Sequence, residues 1–586
     1  MTLRYRLAGL LLVAGTLPGC GTAPESAVRA TEPQRPIQVN QVGFLPASAK
    51  WASVPAGNGT ASTYSVVEAA GGREVLRGTL GAAATWPPAQ ASFRLADFSA
   101  LNAPGRYRIH VEGLPDSPPF VVSADAYAEL NAASLKAFYF NRAGTELLRE
   151  HAGVYARPAG HPDTRVLVHA SAAGPGRPEG TVISAPKGWY DAGDYNKYVV
   201  NSGISTYTLL AAYEHFPAFF RQQSLNIPES GNALPDLLDE ALWNLEWMLA
   251  MQDPNDGGVY HKLTNQRFDA TVMPHQATSE RYVVQKTTAA ALNFAAVMAT
   301  ASRVFSRFET QRPGLSARML AAARSAWLWG QAHPTAIYRQ PPDIHTGGYD
   351  DSQLEDEFAW AAAELYISTR EDGYYAAMKL ERVPNGVPGW GDVKGLAWMS
   401  LAHHRQRLTP VADRALITTR IDGLARELAS AWESSAYRVG MRTGDFTWGS
   451  NSGLLNQAMM LIQAYRVGGD RKQLDAAQAA LDYVLGRNAL GMSMVTGFGA
   501  KPPLHPHHRP SEADGIAAPV PGFIVGGPQP GQQDAKGCPV PYPSKVPALS
   551  YLDHYCSYAS NEVAINWNAP LVYVSAALQV LSGAAK

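Results

Sequence analysis

The segment Tyr551–Ala569, YLDHYCSYASNEVAINWNA, leads from a polar, aromatic-rich stretch into the last apolar stretch of the chain. From Asn561 to Leu581 the apolar residues recur at intervals of three and four, which predicts a helix, and Ser560 is a favourable N-cap residue before it. Glu562 then falls in the first turn, where an acid complements the helix dipole. Because that dipole lowers the pKa of a carboxyl group, a proton-donor role for Glu562 requires apolar surroundings or a second carboxylate.

Helix periodicity also dominates the chain upstream of this segment, as far back as Asp125. Eight further segments have apolar residues at intervals of three and four, namely Asn131–Glu146, Leu234–Met251, Thr287–Val304, Ala317–Gln331, Asp356–Thr369, Leu416–Trp432, Gly453–Arg466 and Lys472–Leu485. About a dozen helices joined by long loops predict a large all-α domain over residues 126–583, with function in the loops. The loop 497–549 is long enough to be functional or disordered.

The N-terminal part of the chain has a different pattern. Residues 37–123 contain short alternating runs such as Tyr107–Val111, separated by Gly, Pro and Asn, which predict a small antiparallel β-sandwich. Before it, residues 1–20 have a basic start, an apolar run and a lipobox-like end at Cys20, which predict a signal peptide. Residues 21–36 are typical of a flexible tether. We expect an exported protein, an outer-membrane lipoprotein or otherwise a secreted one.

The balance of charged residues argues against a nucleic acid as partner. Lys and Arg total 49 against 50 Asp and Glu, without the basic surplus that a nucleic-acid-binding protein usually carries. After residue 20 no uninterrupted apolar run reaches ~18 residues, so we expect no transmembrane helix. Cys538 and Cys556 could form a disulfide in an oxidising compartment or remain free thiols, and the sequence leaves both open. Nothing in the sequence argues for more than a monomer.

A second polar segment, GWYDAGDYNKY at residues 188–198, carries two carboxylates three positions apart. Asp191 and Asp194 could hold a water molecule and remove its proton, which is the task of a general base. The same spacing also occurs in Asx-turns and in calcium loops. A third segment, in the long loop, holds His505, His507 and His508 beside Arg509.

These histidines lack the ligand spacing of a regular zinc site, although zinc binding stays open, and a purely structural role is an equal alternative. His507 and Arg509 could instead donate hydrogen bonds to hydroxyl groups.

Together the three segments resemble glycoside hydrolase family nine. The histidine signature of that family is met by Ser493, Val495, Thr496, Gly499, Lys501, Pro506, His507 and Arg509. Its acidic signature is met by Tyr551, Asp553, Tyr558, Glu562, Ala564, Asn568 and Ala569, and its Asp-Ala-Gly-Asp motif by residues 191–194. Residues 40–46, NQVGFLP, are similar to the first strand of the immunoglobulin-like module that precedes many bacterial members.

The resemblance implies a small immunoglobulin-like sandwich followed by an (α/α)6 barrel, and hydrolysis with inversion at the anomeric carbon. It implies Asp194 as the general base, Asp191 as the residue that orients the water, and Glu562 as the general acid. In an inverting enzyme the two acting carboxyl groups lie ~6.5–9.5 Å apart. His507 and Arg509 would bind glucosyl hydroxyls, and Asp553 would support the site from behind.

Two further sets of residues follow from the resemblance. Aromatic rings can stack on the apolar face of a sugar, and the candidates are Trp189, Tyr195, Trp448 and Trp567, although core packing is an equal alternative for each. No cofactor is required for the chemistry, but members often carry structural calcium. Asp356, Glu357 and Asp392 could bind it, whereas as first-turn acids Asp356 and Glu357 could equally complement a helix dipole. The chain lacks cysteines suited to a zinc site.

The predicted activity is endo-hydrolysis of β-1,4-glucosidic bonds in cellulose or related β-glucans. One alternative is an exo-acting enzyme of β-glucosidase or glucosaminidase type, because the loop 497–549 is long enough to close one end of a cleft. A more remote alternative is a non-catalytic glycan-binding lipoprotein, which predicts the loss of a catalytic carboxylate, whereas all three are present.

Overall fold

The structure is a computed structural model that describes residues 35–57 and 61–583. The predicted signal peptide and the tether as far as residue 34 lie outside the described residues. The strands of the N-terminal sandwich are β1 (Gly43–Phe44), β2 (Trp51–Pro55), β3 (Thr63–Glu68), β4 (Glu74–Thr79), β5 (Ala84–Trp86), β6 (Ala91–Asp97), β7 (Gly105–His110) and β8 (Phe120–Val122). One sheet has the order β1-β8-β7-β3-β4 and the other β2-β6-β5.

The sandwich has its own apolar core and also packs on the helical domain. Phe44, Phe98 and Phe120 meet in that core with ring centroids 5.3–5.4 Å apart. On the helical side, the Gln41 backbone N–H donates to the Leu485 carbonyl at 2.9 Å. The Gln41 side-chain oxygen accepts from the N–H of Lys501 at 3.0 Å, at the start of the segment that carries the predicted histidine site. The sandwich therefore helps to position that segment.

Twelve helices of the second domain form two layers. The inner helices are α3 (Val199–His215), α6 (Thr288–Phe305), α8 (Glu355–Thr369), α10 (Lys394–His404), α12 (Ser450–Gly468) and α16 (Ile565–Gly583). Each contacts the next, and α16 contacts α3, so the ring is closed. The outer helices α1 (Ala128–Phe140), α5 (Asp236–Ala250), α7 (Leu315–Ala332), α9 (Asp372–Met378), α11 (Arg414–Ser434) and α13 (Arg471–Val484) pack around it. This is the (α/α)6 arrangement that the resemblance implies.

The remaining short helices are α2 (Arg149–Ala152), α4 (Pro217–Gln222), α14 (Arg509–Ala513) and α15 (Tyr558–Asn561). A third sheet lies in the loops at one end of the ring. Its strands are β9 (Val166–Val168), β10 (Val182–Ile183), β11 (Lys197–Tyr198), β12 (Lys262–Thr264) and β13 (Tyr282–Val283), in the order β10-β9-β13-β12-β11. Because β11 directly follows the Asp191–Asp194 segment and leads into α3, this sheet fixes one side of the predicted site.

Two inner helices were not among the predicted segments. Helix α3 begins VVNSGISTYT, and its β-branched, Ser and Thr residues have modest helix propensity. Nearly all of its residues are buried, so packing inside the ring decides its conformation. The other missed helix is α10. Helix α6 with its following turn, Thr288–Phe308, is long and apolar enough to cross a membrane, but 94% of that window is buried inside the protein, as a helix of the inner ring requires.

Candidate active site

The Asp191–Asp194 segment is a backbone turn held from two sides. The Asp191 carbonyl accepts from the Ile565 N–H at 2.9 Å, which ties it to the start of α16. The Gly193 carbonyl accepts from the Arg509 N–H at 3.2 Å, which ties it to the histidine segment. A Cβ atom added at Gly193 would lie 2.4 Å from the His507 carbonyl oxygen. Only glycine fits this contact, and the three predicted segments therefore meet at one place.

Glu562 does not lie in the last helix, which corrects the prediction from its N-cap residues. It follows α15 in an extended conformation, and α16 begins only at Ile565. Its Oε1 accepts the Gly193 N–H at 3.3 Å, so the carboxyl group faces the turn that carries the two aspartates. Burial, and then the negative charge of Asp194, raise the pKa of Glu562 well above its ordinary value. A raised pKa favours the protonated form of Glu562, which is the form that a proton donor requires.

Asp194 is surrounded by donors to a single oxygen. Its Oδ2 accepts from the Asn196 side chain at 2.5 Å, from the Asn196 N–H at 3.3 Å and from the Tyr198 hydroxyl at 3.2 Å. Within the described chain Oδ1 has no such partner and is the oxygen left for a water molecule.

Asp191 has two donors, one on each oxygen. Asn201, on α3, donates to Oδ1 at 2.6 Å, and the Tyr349 hydroxyl donates to Oδ2 at 2.6 Å. Burial and the neighbouring Asp194 nevertheless raise the pKa of Asp191 to about 8. Three carboxyl groups thus share one buried site, in which the pKa values of Asp191 and Glu562 are raised.

His507 lies beside this trio as a neutral imidazole. Its Nδ1 is 2.6 Å from the Tyr555 carbonyl oxygen, which can only accept, so Nδ1 carries the proton and Nε2 is an acceptor. Burial lowers the pKa of His507 to about 4. Asp553 accepts the backbone N–H of Leu504 and of His505 at 2.9 Å each, and so holds the histidine segment from behind.

Arg509 directs its bonds to the backbone. Its Nη1 donates to the Gly193 carbonyl at 2.7 Å and its Nε to the Asp269 carbonyl at 3.0 Å. These contacts brace the aspartate turn, and the predicted contact of Arg509 with sugar hydroxyls stays a prediction.

Two predicted stacking residues are core residues instead. Trp189 is 0% exposed, packs on Phe138 and donates from its indole nitrogen to Glu240 at 2.7 Å. Tyr195 is 1% exposed and donates its hydroxyl to the Val272 carbonyl at 2.6 Å. Neither presents a ring face to a ligand, because buried aromatic residues with a polar handle are satisfied inside the protein.

The other two aromatic candidates differ from each other. Trp567 is buried between Gly449 and Gly526, where an added Cβ atom would lie 2.7 Å and 3.1 Å from its ring. Trp448 is 45% exposed, and its ring centroid is 5.5 Å from that of Tyr558. Of the four, Trp448 is the one available as a stacking platform.

The predicted calcium site does not form as proposed. Asp392 pairs with Lys394 at 2.6 Å, and Asp356 accepts the Val393 N–H at 2.7 Å. Across residues 35–57 and 61–583 no group of three or more His, Cys, Asp or Glu side chains is placed to hold a metal ion.

The histidines considered for zinc take part in other contacts. His507 and His508 both use Nδ1 in hydrogen bonds within the protein, and His508 is fully buried.

The cysteine pair, which the sequence left open, is a disulfide between Cys538 and Cys556. It closes part of the long loop next to Tyr555, whose carbonyl orients His507. Another part of that loop, Phe523–Gly527, is buried beneath the site, where the Gly526 N–H donates to the Glu562 carbonyl at 2.9 Å.

Four residues that contact the aspartates are not among the site residues predicted from the sequence. Asn196 and Tyr198 lie two and four positions after Asp194 in the segment already singled out, so their proximity was a usable signal. Asn201 is two residues into α3, the helix that was missed. Tyr349 is far away in sequence, and only the fold brings it to Asp191.

Known proteins resemble this chain along nearly its whole length. The family model for glycosyl hydrolase family 9 matches residues 127–575, and that for the cellulase N-terminal ig-like domain matches residues 32–116. The chain is 42% identical to a xyloglucan-specific endo-beta-1,4-glucanase of Bacteroides ovatus, over 98% of this chain and 99% of that protein. It is 30% identical to Endoglucanase D of Acetivibrio thermocellus, over 98% of this chain and 86% of that protein.

Solved structures agree with these sequence matches. The structure titled Bacteroides ovatus GH9 has a TM-score of 0.87 at 41% identity and covers 93% of this chain and 99% of its own. A metagenome-derived family 9 endoglucanase has a TM-score of 0.85 at 36% identity, with coverage of 93% and 99%. The chain belongs to glycosyl hydrolase family 9, with a cellulase-type immunoglobulin-like domain ahead of its helical catalytic domain.

Proposed function

We propose that this glycoside hydrolase is an inverting endo-β-1,4-glucanase. The observation that carries the proposal is the contact of Glu562 with the Gly193 N–H, because it brings a carboxyl group of raised pKa to the turn that carries Asp191 and Asp194. A glycosidase needs one protonated and one ionised carboxyl group on either side of the scissile bond. The buried trio supplies both.

Glu562 is the general acid in this proposal. Its proton passes to the glycosidic oxygen as the bond to the anomeric carbon breaks, so the leaving sugar departs as an alcohol. Burial in a protein interior favours the neutral acid before the transfer, which is the condition a proton donor requires at neutral pH. The extended backbone at Glu562 removes it from the first turn of α16, where the helix dipole would oppose this state.

Asp194 is the general base. Its Oδ2 is held by Asn196 and Tyr198, which leaves Oδ1 to take a proton from the attacking water. Asp191, held by Asn201 and Tyr349, orients that water as a second acceptor or donor. Attack from the face opposite the leaving oxygen inverts the anomeric configuration.

The glycan bound is a β-1,4-glucan, and a branched xyloglucan is the first to test. The relative from Bacteroides ovatus that bears the name of a xyloglucan-specific enzyme covers nearly all of both chains. His507 Nε2 accepts a hydrogen bond from a glucosyl hydroxyl, and the exposed Trp448 ring stacks on a sugar. The buried stretch Phe523–Gly527 supports Glu562 from below, so this part of the long loop gives no support to the exo-acting alternative.

The first experiment compares carboxymethyl cellulose, xyloglucan and cellotetraose as substrates, with viscosity and released sugars followed together. An endo-acting enzyme lowers viscosity quickly and gives mixed oligosaccharides, and proton NMR of fresh products shows the α-anomer first. Release of glucose alone at constant viscosity would reject endo action.

The role of the base is tested with Asp194→Asn. We expect turnover to fall by roughly 10²–10⁴-fold, as for the loss of a general base, while cellotetraose binding by calorimetry persists. Wild-type turnover in this variant would show that Asp194 is not the base.

We also propose export with a lipid anchor at Cys20, based on the lipobox-like residues 17–20. Incorporation of labelled palmitate that is lost in Cys20→Ser tests the anchor. A protein that is exported without label would be a secreted enzyme.

A further inference from the structure

Lys262 is a buried cation next to the site that the proposed mechanism does not use. It is 0% exposed, and its Nζ donates to the Gly347 carbonyl at 2.5 Å, to Thr346 Oγ1 at 3.0 Å and to Gln340 Oε1 at 3.2 Å. All three partners are neutral, and the described residues offer it no ion pair. A buried ammonium without a carboxylate partner is unfavourable unless a charge farther away compensates it.

The sheet connects this lysine to Asp194. Lys262 on β12 lies directly opposite Tyr198 on β11, and its Nζ is 5.6 Å from the centre of the Tyr198 ring. The Tyr198 hydroxyl donates to Asp194 Oδ2 at 3.2 Å. Gly347 joins the two, because its N–H donates to the Tyr198 hydroxyl at 3.1 Å while its carbonyl accepts from Lys262. Lysine, tyrosine and aspartate therefore form one continuous polar chain.

The charges in the site favour an electrostatic attraction between Lys262 and Asp194, the two ends of this polar chain. The trio brings three carboxyl groups together, and the guanidinium of Arg509 directs its bonds to two backbone carbonyls. Burial lowers the pKa of Lys262 to about 7, and Asp194 is the charged group that opposes this decrease. The attraction is mutual, since a charge that stabilises its neighbour is stabilised equally in return.

We propose that the ammonium group of Lys262 is the counter-charge that keeps Asp194 ionised, acting through Tyr198 and Gly347. Lys262 is thus a positioning residue for the general base, and this role rests on the proposed function of Asp194. The group that Lys262 acts on is a carboxylate of the same site and not the glycan.

Another titratable group near the polar chain from Lys262 to Asp194 could shift the acidic limb only if its own charge changed between pH 4 and 6. The groups there are Asp191, Tyr198, His261, Tyr338, Tyr349 and Glu562. Burial raises the pKa of Asp191 to about 8 and the pKa values of all three tyrosines above 10, so these four groups are neutral between pH 4 and 6. Burial also raises the pKa of Glu562 well above its ordinary value. Burial lowers the pKa of His261 to about 3, and it is neutral in that range as well.

The first test is the pH dependence of kcat/KM in Lys262→Gln and Lys262→Met. Both variants remove the charge, and glutamine retains a donor for the Gly347 carbonyl. We expect the acidic limb of the profile to move to higher pH by roughly 0.5–1 unit in both, because the protonated, inactive form of Asp194 is then favoured. The alkaline limb, which reports Glu562, moves less.

A matched control exists at Lys50. It is also fully buried, donates to two backbone carbonyls at 2.6 and 2.9 Å, and burial lowers its pKa to about 8, but it lies in the sandwich domain. Lys50→Gln is expected to leave both limbs in place. If Lys262→Gln has a lower rate but the wild-type acidic limb, Lys262 is merely structural and the proposal is wrong.

A second measurement needs neither turnover nor a lysine variant. In protein labelled with ¹⁵N-lysine, the Lys262 Nζ resonance is titrated in the wild type and in Asp194→Asn, and we expect its pKa to fall in the variant. An unchanged lysine titration would overturn this inference even if Asp194→Asn is inactive. Full activity of Asp194→Asn would instead overturn the assignment of the base, so the two failures can be told apart.

Discussion

The helical domain has two groups of three acidic side chains, and the two groups differ in their surroundings. The first is the catalytic trio, Asp191, Asp194 and Glu562. It receives hydrogen bonds on all three side chains, from Asn201, Tyr349, Asn196, Tyr198 and the Gly193 N–H. These donors come from two stretches of the chain, residues 193–201 and Tyr349.

The second group, which we call the acidic cluster, consists of Asp351, Asp356 and Glu357 at the start of α8. In the described structure both oxygens of Glu357 and Oδ2 of Asp351 are buried without a hydrogen-bond partner. Burial, and then the interactions with Asp351 and Asp356, raise the pKa of Glu357 to about 12. Protonation of Glu357 therefore reduces the net negative charge of the acidic cluster.

The comparison separates two consequences of burying a carboxyl group. Burial raises the pKa in both groups, so a raised pKa by itself does not identify a catalytic residue. The trio differs because all three of its side chains accept hydrogen bonds, and because Gly193 leaves room for close approach. In the acidic cluster Asp351 and Asp356 each accept one backbone N–H, whereas neither oxygen of Glu357 has a hydrogen-bond partner in the described structure.

The same substitution in each group tests whether only the trio takes part in catalysis. We expect Glu562→Gln to lower kcat on carboxymethyl cellulose by roughly 10²–10⁴-fold, because the leaving oxygen loses its proton donor. The loss should be much smaller on an aryl cellobioside whose leaving group needs no proton. Glu357→Gln, the matched control, should remain within about twofold of wild type, since surface and structural changes away from the site seldom alter chemistry. Equal losses in both variants would remove the distinction.

A smaller effect tests the close approach at Gly193. An alanine there would place its Cβ atom 2.6 Å from His507 Cδ2, so the turn or the histidine must shift. We expect kcat/KM to fall by roughly 10–100-fold with the fold retained, because misplacement by about 1 Å is enough for such losses. The control is Gly423→Ala in α11, where an added Cβ atom meets nothing within 4 Å.

Alanine at Gly423 should stabilise the helix slightly, by about 0.5–1 kcal/mol, and leave the rate unchanged. A Gly193→Ala enzyme with wild-type kcat/KM would show that the turn has more freedom than its contacts indicate.

The contacts also show which parts of the site the sequence could predict. Asp191 and Asp194 lie in one short segment, and Glu562 and Asp553 in another, so local patterns of residue type were sufficient to find them. Tyr349 reaches Asp191 only through the closed ring, and no local pattern marks it. For Trp189 the sequence left sugar contact and core packing as equal alternatives, and its side chain lies in the core.

The fold was predictable to a similar degree and for similar reasons. Helices with strong apolar periodicity, such as α6 and α13, were predicted close to their observed bounds. Helix α3 was missed because its β-branched and hydroxyl residues favour other conformations locally, and burial inside the ring overrides them. The N-cap residues before Glu562 predicted a helix start, but residues 558–561 form a separate turn of helix and α16 begins later.

The smallest expected effect is on stability, where the two groups should behave alike. The folded-state pKa of Asp191, about 8, and that of Glu357, about 12, lie above the ordinary values of 3.8 and 4.5. Between those limits the folded protein binds more protons than the unfolded chain, so each group lowers the free energy of unfolding as pH rises.

Asp191→Asn and Glu357→Gln remove the titration and keep the shape. We expect each to raise the melting temperature by a few degrees at pH 8 and by less at pH 5, measured by calorimetry with a chelator present. A gain that is larger at pH 5 than at pH 8 would contradict the raised pKa values. A gain in Glu357→Gln alone would mean that the donors of Asp191 already hold it ionised at neutral pH.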